Sequence, residues 1–549
     1  MPSVAIFGGG VGGLTTAHEL VERGFDVQVF DVKPDLWGGK ARSQPKIKSE
    51  VGGRQDLPGE HGFRFFPGFY KHLPDTMSRI PFPGNAKGVL DNLVPTTECA
   101  LYPDNGEPYI VHVNFPKTIA EWRKSLEETV AGISRIGWGN VAFFFGQVLR
   151  LAFSCQPRLD YKYDSIAWWE FVDAQNRGDP YQKVLAQGLT RSLVAVKARE
   201  SSTRTVGTML LQLLYNIFTP GVQSDRVLNG PTNDQWIDPW INYLAGKQVG
   251  LNLNSKVLAF NMNGSRLGSV TVSVGDVVQN VTADFYVSAI PVEKMAGLLN
   301  QEMIAAAPDL AMITQLKTDW MNGIQFYLST DVPVINGHVI YLDSQWAITS
   351  ISQHQFWNGV DLSRYGNGNV KGILSVDISD WNTKGDQVVF KMAKDCTAEE
   401  IKKESWAQIK AHLHSTIQDS YLVDWFLDTD IGWGDYRKML DTNLEPLLVN
   451  TVGSLQHRPA ASTQIPNLML AADYVNTYTN LACMEGANEA GRRAANAILD
   501  ATAFKGPRCS LWPYTSPLIF ELGQAIDSVV WKLTHPKADS QPFVTSCPP

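Results

Sequence analysis

The 549-residue sequence lacks several features that mark common protein classes. Its six cysteines are scattered and form no Cys-x-x-Cys pair, so neither a zinc framework nor a disulfide scaffold is indicated, and a reducing compartment is favoured. No run of about 20 uncharged apolar residues is present, so no transmembrane helix is predicted. The net charge of −8 argues against nucleic acid as a partner, because phosphate binding requires a basic surface.

Motifs of several enzyme classes are also missing. The sequence contains no His-Glu-x-x-His, no Gly-x-Ser-x-Gly and no phosphate-binding Gly-x-x-x-x-Gly-Lys-[Ser/Thr]. No metal site is predicted, since His412 and His414 are only two residues apart and would face different ways on a helix. A signal peptide is not expected, because a functional glycine segment begins at Gly8, and we therefore predict a cytoplasmic protein.

The first forty residues contain a glycine-rich turn between two apolar segments. Residues 3–7 are a short apolar run, residues 8–13 read Gly-Gly-Gly-Val-Gly-Gly, and residues 14–24 have helical spacing. Residues 26–31 follow as a second strand that ends in Asp31. A strand, a glycine turn, a helix, a strand and an acid in this order are the fingerprint of a dinucleotide-binding βαβ unit.

Each part of this fingerprint has a physical role in binding a dinucleotide. Gly8 permits the tight turn, and Gly13 lets the helix pack closely on the strand. Gly10, in the same turn as Gly12, lets the backbone approach a pyrophosphate. The phosphates would meet unpaired N–H groups and the positive end of the helix dipole. Asp31 would accept hydrogen bonds from the ribose of an adenosine.

Two later segments add to this site. Gly38 and Gly39 would let the backbone pass close to a bound nucleotide, and Lys40 would neutralise its phosphates. Residues 60–70 then read Glu-His-Gly-Phe-Arg-Phe-Phe-Pro-Gly-Phe-Tyr.

These motifs resemble those of the flavin-dependent desaturase and amine oxidase superfamily. In carotenoid desaturases a Gly-Gly-Lys follows the first βαβ unit, and a block Glu-x-Gly-x-His-x-x-x-Gly-x-Tyr comes soon after. Arg64 stands where those enzymes commonly carry histidine, so Arg64, with Phe63 beside it, becomes a candidate for a flavin- or substrate-facing position. The positions in register with the block are Glu60, Gly62, Gly68 and Tyr70.

A second block near the carboxyl terminus strengthens the resemblance. Residues 465–473 read as a strand that ends in an acid, and residues 484–495 open a helix with Met-Glu-Gly-Ala. The superfamily closes its flavin domain in this way, which implies that N–H groups at the helix start stabilise negative charge on the reduced flavin. The further cofactor-binding residues that the resemblance implies are Val257 on the adenine side, Asp473, Cys483, Met484, Glu485 and Ala487.

The resemblance implies an α/β fold in which a Rossmann-like FAD-binding domain of the glutathione reductase type carries an inserted α+β substrate domain. We expect the FAD-binding domain in three pieces, residues 1–95, 230–291 and 455–505. The substrate domain is expected over residues 96–229 and 292–454.

Two apolar regions allow more than one interpretation. Residues 118–218 have an unusually apolar helical pattern, which fits core helices, the wall of an apolar tunnel or a membrane-dipping surface. Residues 506–549 are expected to form a tail with an amphipathic helix. That helix would dock on the chain's own surface, or serve as a dimer or peripheral membrane contact. The oligomeric state stays open.

The resemblance implies an FAD-dependent oxidoreductase, and the residue before Met484 separates its possible substrates. Amine and amino-acid oxidases place a tyrosine there. Isoprenoid desaturases and dehydroxylases carry a small residue at this position, and this chain has Cys483. We therefore expect hydride transfer between FAD and a hydrophobic small molecule, a long isoprenoid or polyene. A flavin-dependent isomerase of a polyene or unsaturated fatty acid and an amine or amino-acid oxidase remain alternatives. The catalytic residues are unassigned, with Arg64 and Cys483 as candidates.

Overall fold

The computed structural model describes residues 2–60, 62, 64–114, 116, 119–188, 190, 197–431 and 443–535. The strands of this part of the chain are β1 (Ser3–Phe7), β2 (Asp26–Phe30), β3 (Ser43–Lys46), β4 (Leu57–Glu60), β5 (Leu93–Pro95), β6 (Glu98–Tyr102), β7 (Tyr109–His112), β8 (Arg226–Leu228), β9 (Gly250–Asn252), β10 (Ser255–Asn263), β11 (Arg266–Val274), β12 (Val277–Val281), β13 (Phe285–Ser288), β14 (Lys317–Asp319), β15 (Asn322–Leu328), β16 (Gly337–Tyr341), β17 (Ile348–Ser352), β18 (Gly372–Ile378), β19 (Leu422–Leu427), β20 (Leu447–Val449) and β21 (Leu468–Leu470). The α-helices are α1 (Val11–Val21), α2 (His72–Arg79), α3 (Ile119–Ile136), α4 (Trp138–Ala152), α5 (Trp168–Phe171), α6 (Thr203–Ile217), α7 (Asp238–Gly246), α8 (Val292–Leu298), α9 (Gln301–Ala306), α10 (Ala398–Leu413), α11 (Met484–Ala501) and α12 (Leu518–Thr534).

A parallel five-stranded sheet forms the centre of the nucleotide domain. Its strand order is β21-β13-β1-β2-β9, so β1 lies between β2 and a strand that follows it by some 280 residues. The buried strands are almost continuously apolar, as expected for a parallel sheet covered on both faces. The predicted strand, turn, helix and strand of the first forty residues are confirmed, and the fold is the expected Rossmann-like α/β type.

A second, mixed sheet of seven strands forms the other half of the molecule, in the order β19-β15-β18-β17-β16-β6-β7. Helix α10 packs on one face of it, where Thr397 and Glu400 form a capping box at the helix start. The opposite face meets Leu57 and Phe65 from the segment that leaves the nucleotide domain. Helices α3 and α4 pack beside β6 and β16, and α5 and α6 pack on α4. The described residues between 119 and 218 are therefore largely helical, as predicted.

The two glycine motifs meet directly, although they are some 480 residues apart in the sequence. A Cβ on Gly12 would overlap the carbonyl oxygen of Ala471, and a Cβ on Gly491 would lie 2.5 Å from the carbonyl oxygen of Gly12. The Thr16 hydroxyl donates to the Gly491 carbonyl at 3.2 Å. Helices α1 and α11 therefore cross at backbone distance, and both begin at the same edge of the parallel sheet.

The first part of the tail, up to Trp512, is bound to the nucleotide domain. Asn496 of α11 and Cys509 exchange two hydrogen bonds, with Cys509 N–H donating at 2.7 Å and the Asn496 amide donating at 3.0 Å. The backbone N–H of Trp512 donates to His72 Nε2 at 3.0 Å. No described helix has both the length and the apolar character needed to cross a membrane. The described residues also contain no group of three potential metal ligands.

We expect Gly12→Ala to destabilise the protein by about 3 kcal/mol or more and to prevent flavin retention, because the new methyl group has no room beside Ala471. Thermal unfolding and the flavin absorbance of the purified protein measure both effects. Gly139→Ala is the matched control, since Gly139 on α4 faces open space and the helix should gain up to about 1 kcal/mol. Equal stability of the Gly12→Ala protein and the wild type would contradict the tight contact.

Candidate functional site

The glycine turn between β1 and α1 is built from positions that cannot hold a side chain. Gly8 has φ +112°, and a Cβ there would lie 2.5 Å from the carbonyl oxygen of Ala289. A Cβ on Gly13 would overlap the Gly8 carbonyl oxygen, so Gly13 sets the close approach of α1 to β1. Gly10 is the residue before α1 and contacts Gly39 from the next loop. The turn is thus the side-chain-free cradle that a pyrophosphate requires.

The loop of Gly38 and Gly39 lies directly against this turn. Gly38 N–H donates to the Gly9 carbonyl at 3.0 Å, and both loop glycines have positive φ, +107° and +55°. The structure therefore brings the two predicted glycine segments together. The Lys40 ammonium, however, donates to the carbonyl of Pro446, which lies far along the chain.

Asp31 closes the turn at its other end. Its carboxylate accepts the Gly9 N–H at 2.5 Å and the Lys33 N–H at 2.8 Å. Burial raises the pKa of Asp31, while these two backbone N–H groups oppose the rise. Ser255 N–H donates to the Asp31 carbonyl at 2.7 Å, which brings β10 alongside. Val257, two residues further on, packs against the core of the nucleotide domain.

Arg64 is a positioning residue in this structure. Its guanidinium donates to the carbonyls of Lys40 at 2.9 Å and Arg42 at 3.0 Å, and it pairs with Glu60 at 2.5 Å. Glu60 in turn accepts hydrogen bonds from Thr232 N–H and Oγ1, both at 3.0 Å. Arg64 therefore holds the loop of Gly38 and Gly39 in place by binding two carbonyl groups directly after it. Burial lowers the pKa of Arg64, whereas the Glu60 carboxylate opposes that effect. Phe63 lies outside the described residues.

A cluster of charges that the sequence motifs did not indicate covers the same loop. Arg42 pairs with Asp430 and, at 2.9 Å, with Glu445, and Lys33 pairs with the same two carboxylates at 2.5 and 3.0 Å. The two acids come from chain segments about 400 residues later, so no local pattern could have revealed them. The cluster ties the segments around Asp430 and Glu445 to the loop that follows β2.

The helix that the second motif predicted begins at Met484, with Cys483 as its N-cap. The Cys483 sulfur accepts a hydrogen bond from Gly486 N–H at 3.4 Å. Burial raises the pKa of Cys483 to about 12, so its thiol stays protonated at neutral pH. Cys483 is therefore no thiolate nucleophile. Ala487 donates its N–H to the Cys483 carbonyl at 3.0 Å and lies beside Gly12.

The Glu485 side chain caps a neighbouring helix. Its carboxylate accepts the backbone N–H groups of Lys71, His72 and Leu73, each at 2.8 Å, and the His72 ring at the same distance. Although burial alone would raise it, these donors lower the pKa of Glu485. Because the carboxylate caps the start of α2, only the backbone of Glu485 remains for a cofactor at the start of α11.

Glu293 is a residue of this cleft that the motifs did not indicate. It follows β13 at the sheet edge that also carries the glycine turn and Asp473. Both carboxylate oxygens are buried, and neither accepts a hydrogen bond from another described residue. Burial raises the pKa of Glu293, and the nearby Asp473 adds to the rise while Lys40 opposes it. Burying a polar group without a hydrogen-bond partner costs free energy of folding. The Glu293 carboxylate is therefore suited to accept hydrogen bonds from the hydroxyl groups of a bound ligand.

Two tyrosines lie close to the Cys483 thiol, and Phe69 packs against both of them. The Phe69 ring lies 5.2 Å from that of Tyr70 and 5.7 Å from that of Tyr514, measured between centroids. Burial raises the pKa of both tyrosines, and Cys483 contributes to each rise. Tyr514 comes from the tail, which the sequence motifs did not connect with the site. Position 483 itself carries no aromatic residue, but these three neighbouring side chains form an aromatic wall beside it.

These observations fit an FAD molecule. The glycine turn offers a side-chain-free cradle with a helix N-terminus for the pyrophosphate, and Asp31, Glu293 and Asp473 beside it are carboxylates that would accept hydrogen bonds from the hydroxyl groups of the cofactor. The start of α11 is 470 residues away in sequence yet adjoins the cradle through Gly12. An open depression of about 590 Å³ lined by Pro2, Arg266 and Asp284 lies at the opposite end of the strands, away from this chemistry.

Comparison with known proteins points the same way. The family model for flavin-containing amine oxidoreductases matches residues 11–499. The chain is 23% identical over 535 residues, 91% of its own length and 99% of the relative's, to a probable zeta-carotene desaturase of Synechococcus elongatus.

Solved structures share the fold. An oxidoreductase from Methanosarcina mazei has a TM-score of 0.58 at 12% identity, covering 89% of this chain and 98% of that one. A putrescine oxidase bound to putrescine has a TM-score of 0.58 at 14% identity. Cyclohexylamine oxidase from Brevibacterium oxydans has a TM-score of 0.56 at 13% identity. Each of these two matches covers 91% of this chain and 99% of the oxidase.

Arg64→Lys should weaken FAD binding by about tenfold or more, because a single ammonium cannot replace the fork that holds the carbonyls of Lys40 and Arg42. Titration of the flavin-free protein with FAD, followed by flavin fluorescence, gives the dissociation constant. The control is Arg123→Lys on α3, whose side chain is 81% exposed. An unchanged dissociation constant for the Arg64 variant would show that the loop does not depend on this residue.

Glu293→Ala should have opposite effects on the flavin-free and the flavin-loaded protein. Removing a buried carboxylate without a partner should raise the melting temperature of the flavin-free form, most clearly at high pH, where the raised pKa makes ionisation costly. FAD affinity should fall about five- to a hundredfold through a lost hydrogen bond to the cofactor. Calorimetry and flavin fluorescence measure these effects, with exposed Glu302→Ala as the control. A fall in both quantities would mean that Glu293 serves only the fold.

Proposed function

The chain belongs to the family of flavin-containing amine oxidoreductases, and we propose that it desaturates a long apolar substrate of the isoprenoid or polyene type. The family match and the related sequence identify the chain as an FAD-dependent oxidoreductase of the amine oxidase and desaturase superfamily. The proposal concerns the substrate and the direction in which hydrogen moves.

The observation that carries this proposal is the neutral, aromatic surrounding of the start of α11. Cys483 is small and its thiol is protonated, with Phe69, Tyr70 and Tyr514 around it. No ionised side chain belongs to this group at neutral pH, because burial also raises the pKa of both tyrosines. Such a wall favours contact with hydrocarbon. The nearby Glu485 carboxylate is already bound by the donors at the start of α2, which leaves it poorly placed to pair with an ammonium substrate.

The residues of the chain would prepare the substrate, while bound FAD supplies the hydride acceptor. In a desaturation two neighbouring C–H bonds of the substrate would break and a C=C bond would form between the carbons. The hydride would pass to FAD held by the glycine turn and the start of α11, and the proton would pass to solvent outside the aromatic wall. The electron-rich ring faces of Tyr70 and Tyr514 would stabilise positive charge that develops on the first carbon. The same rings would exclude water from the reacting bond.

The similarity to the probable zeta-carotene desaturase supports an isoprenoid or polyene substrate. The likeness to the probable zeta-carotene desaturase extends over 99% of that protein, so both halves of the chain take part in it. At 23% identity this supports a related substrate chemistry, and the particular polyene is a matter for experiment.

Amine oxidation is the second candidate, and one feature favours it. Tyr70 and Tyr514 place two aromatic hydroxyl-bearing rings next to position 483, where amine oxidases of the superfamily carry a tyrosine. The solved amine oxidases share the fold of this chain but are only 13 to 14% identical to it, so they carry no weight for the substrate.

Anaerobic reduction of the flavin separates the candidates. The purified holoprotein should lose its yellow colour when phytoene or zeta-carotene is added in detergent micelles, and the spectrum should not change with putrescine, cyclohexylamine or a bulky aromatic amine. A desaturated product, detected by its longer absorption wavelength, should form in equal amount to the flavin reduced. Bleaching by amines alone would select the oxidase, and product without any bleaching would select a double-bond isomerase.

A further inference from the structure

Helix α12 packs on the protein with its polar side chains inward. Asp527 pairs with Arg158 at 2.8 Å and accepts the Cys155 N–H at 2.9 Å, while Gln524 donates to the Ala152 carbonyl at 2.8 Å. Phe520 and Trp531 complete the inner face, with Trp531 4% exposed. This pattern is the reverse of that of a helix docked by its apolar stripe.

The outer face of α12 is apolar and exposed. Seven large aliphatic side chains are between 44 and 78% exposed, and the charged residues of that face, Glu521 and Lys532, lie near its two ends. Monomeric proteins rarely expose a continuous apolar patch of this size without a use for it. The seven side chains are Leu518, Ile519, Leu522, Ile526, Val529, Val530 and Leu533.

The exposed apolar side chains of two neighbouring elements continue this face. The Phe153 ring, just past α4, lies 5.0 Å from the Phe520 ring, and Tyr215 near the end of α6 stacks on the same ring at 5.6 Å. Helix α4 exposes Trp138, Phe145 and Leu149, and Phe218 after α6 is 70% exposed. We call the exposed side chains of α12, of α4 with Phe153, and Phe218 the apolar surface.

We propose that the apolar surface docks the protein on a lipid bilayer, with α12 lying in the plane of the interface. The aliphatic outer face of α12 has no Tyr, Trp, Arg or Met, the residues that protein interfaces favour, and offers almost no hydrogen-bonding groups to specify a protein partner. Exposed Arg150 and Lys532 border the surface, where their charges complement lipid phosphates, and Trp138 suits the headgroup level.

The position of the surface relative to the site also favours a bilayer. Tyr514, beside Cys483, is four residues before α12, and Gln212 of α6 donates to the Thr515 carbonyl at 3.3 Å. The connection from the apolar surface to the aromatic wall is thus one short segment. This part of the argument rests on the proposed function, because a polyene dissolves in the membrane and would have to be taken from it.

The test is flotation of the full-length holoprotein with vesicles that contain no substrate. We expect the wild type to float with phosphatidylcholine vesicles containing a minority of phosphatidylglycerol, and to remain bound at high salt because burial of apolar surface dominates. Leu522→Ser with Ile526→Ser should reduce the bound fraction by about tenfold or more while flavin content and melting temperature stay unchanged. Since no turnover is measured, failure of the proposed reaction would leave this result unaffected.

A matched pair of double variants controls for loss of surface hydrophobicity. Val529→Ser with Val530→Ser should weaken vesicle binding, whereas Val277→Ser with Val278→Ser, on the exposed edge strand β12, should not. The proposal is overturned if the wild type fails to float, if both pairs behave alike, or if high salt releases the protein. It is also overturned if light scattering shows a dimer that the α12 variants dissociate without any binding to vesicles, since a second copy would then cover the surface.

Discussion

Contact between backbones without side chains is the constraint on which the rest of this structure depends. Gly12 lies against the Ala471 carbonyl, and Gly491 lies against the Gly12 carbonyl, so α1 and α11 cross at a distance that no other residue would allow. Both helices therefore direct their N-terminal dipoles into one cleft. Arg64 then fixes the neighbouring loop by donating to two of its carbonyls. The chemistry at the cleft follows from this geometry.

Much of this arrangement could be predicted from residue patterns because its causes are local. Gly8 permits the tight turn and Gly13 the close helix packing that the βαβ fingerprint requires, and Asp31 follows β2 as expected, while its contact with a ribose stays a prediction. The strands that precede the two flavin motifs, β1 and β21, belong to one sheet. Such features depend on backbone conformation within a few residues, which a sequence displays directly.

The side chains that act at long range could not be assigned in the same way. Glu485 belongs to a flavin motif, yet its carboxylate caps α2, and that partner can be identified only once α2 and α11 are packed together. Arg64 was a catalytic candidate because of its position in the motif. The motif gave no sign that its guanidinium would be bound to the carbonyls of Lys40 and Arg42. Tyr514 and Glu293 carry no motif at all. Arg64 reaches carbonyls more than twenty residues earlier, and Glu485, Glu293 and Tyr514 have neighbours that lie hundreds of residues away in the sequence.

The strand order of the parallel sheet has a consequence for how the protein is made. During synthesis β1 and β2 can pair at once, but β13 emerges some 280 residues later and β21 almost 440 residues after β2. At roughly 5 to 20 residues per second the sheet waits about 20 to 90 s for its last strand. Throughout that time the free edge of the apolar strand β1 can pair with another chain. The long stretch of chain between the strands of the parallel sheet, which includes the seven-stranded sheet, thus creates a dependence on slow, protected folding.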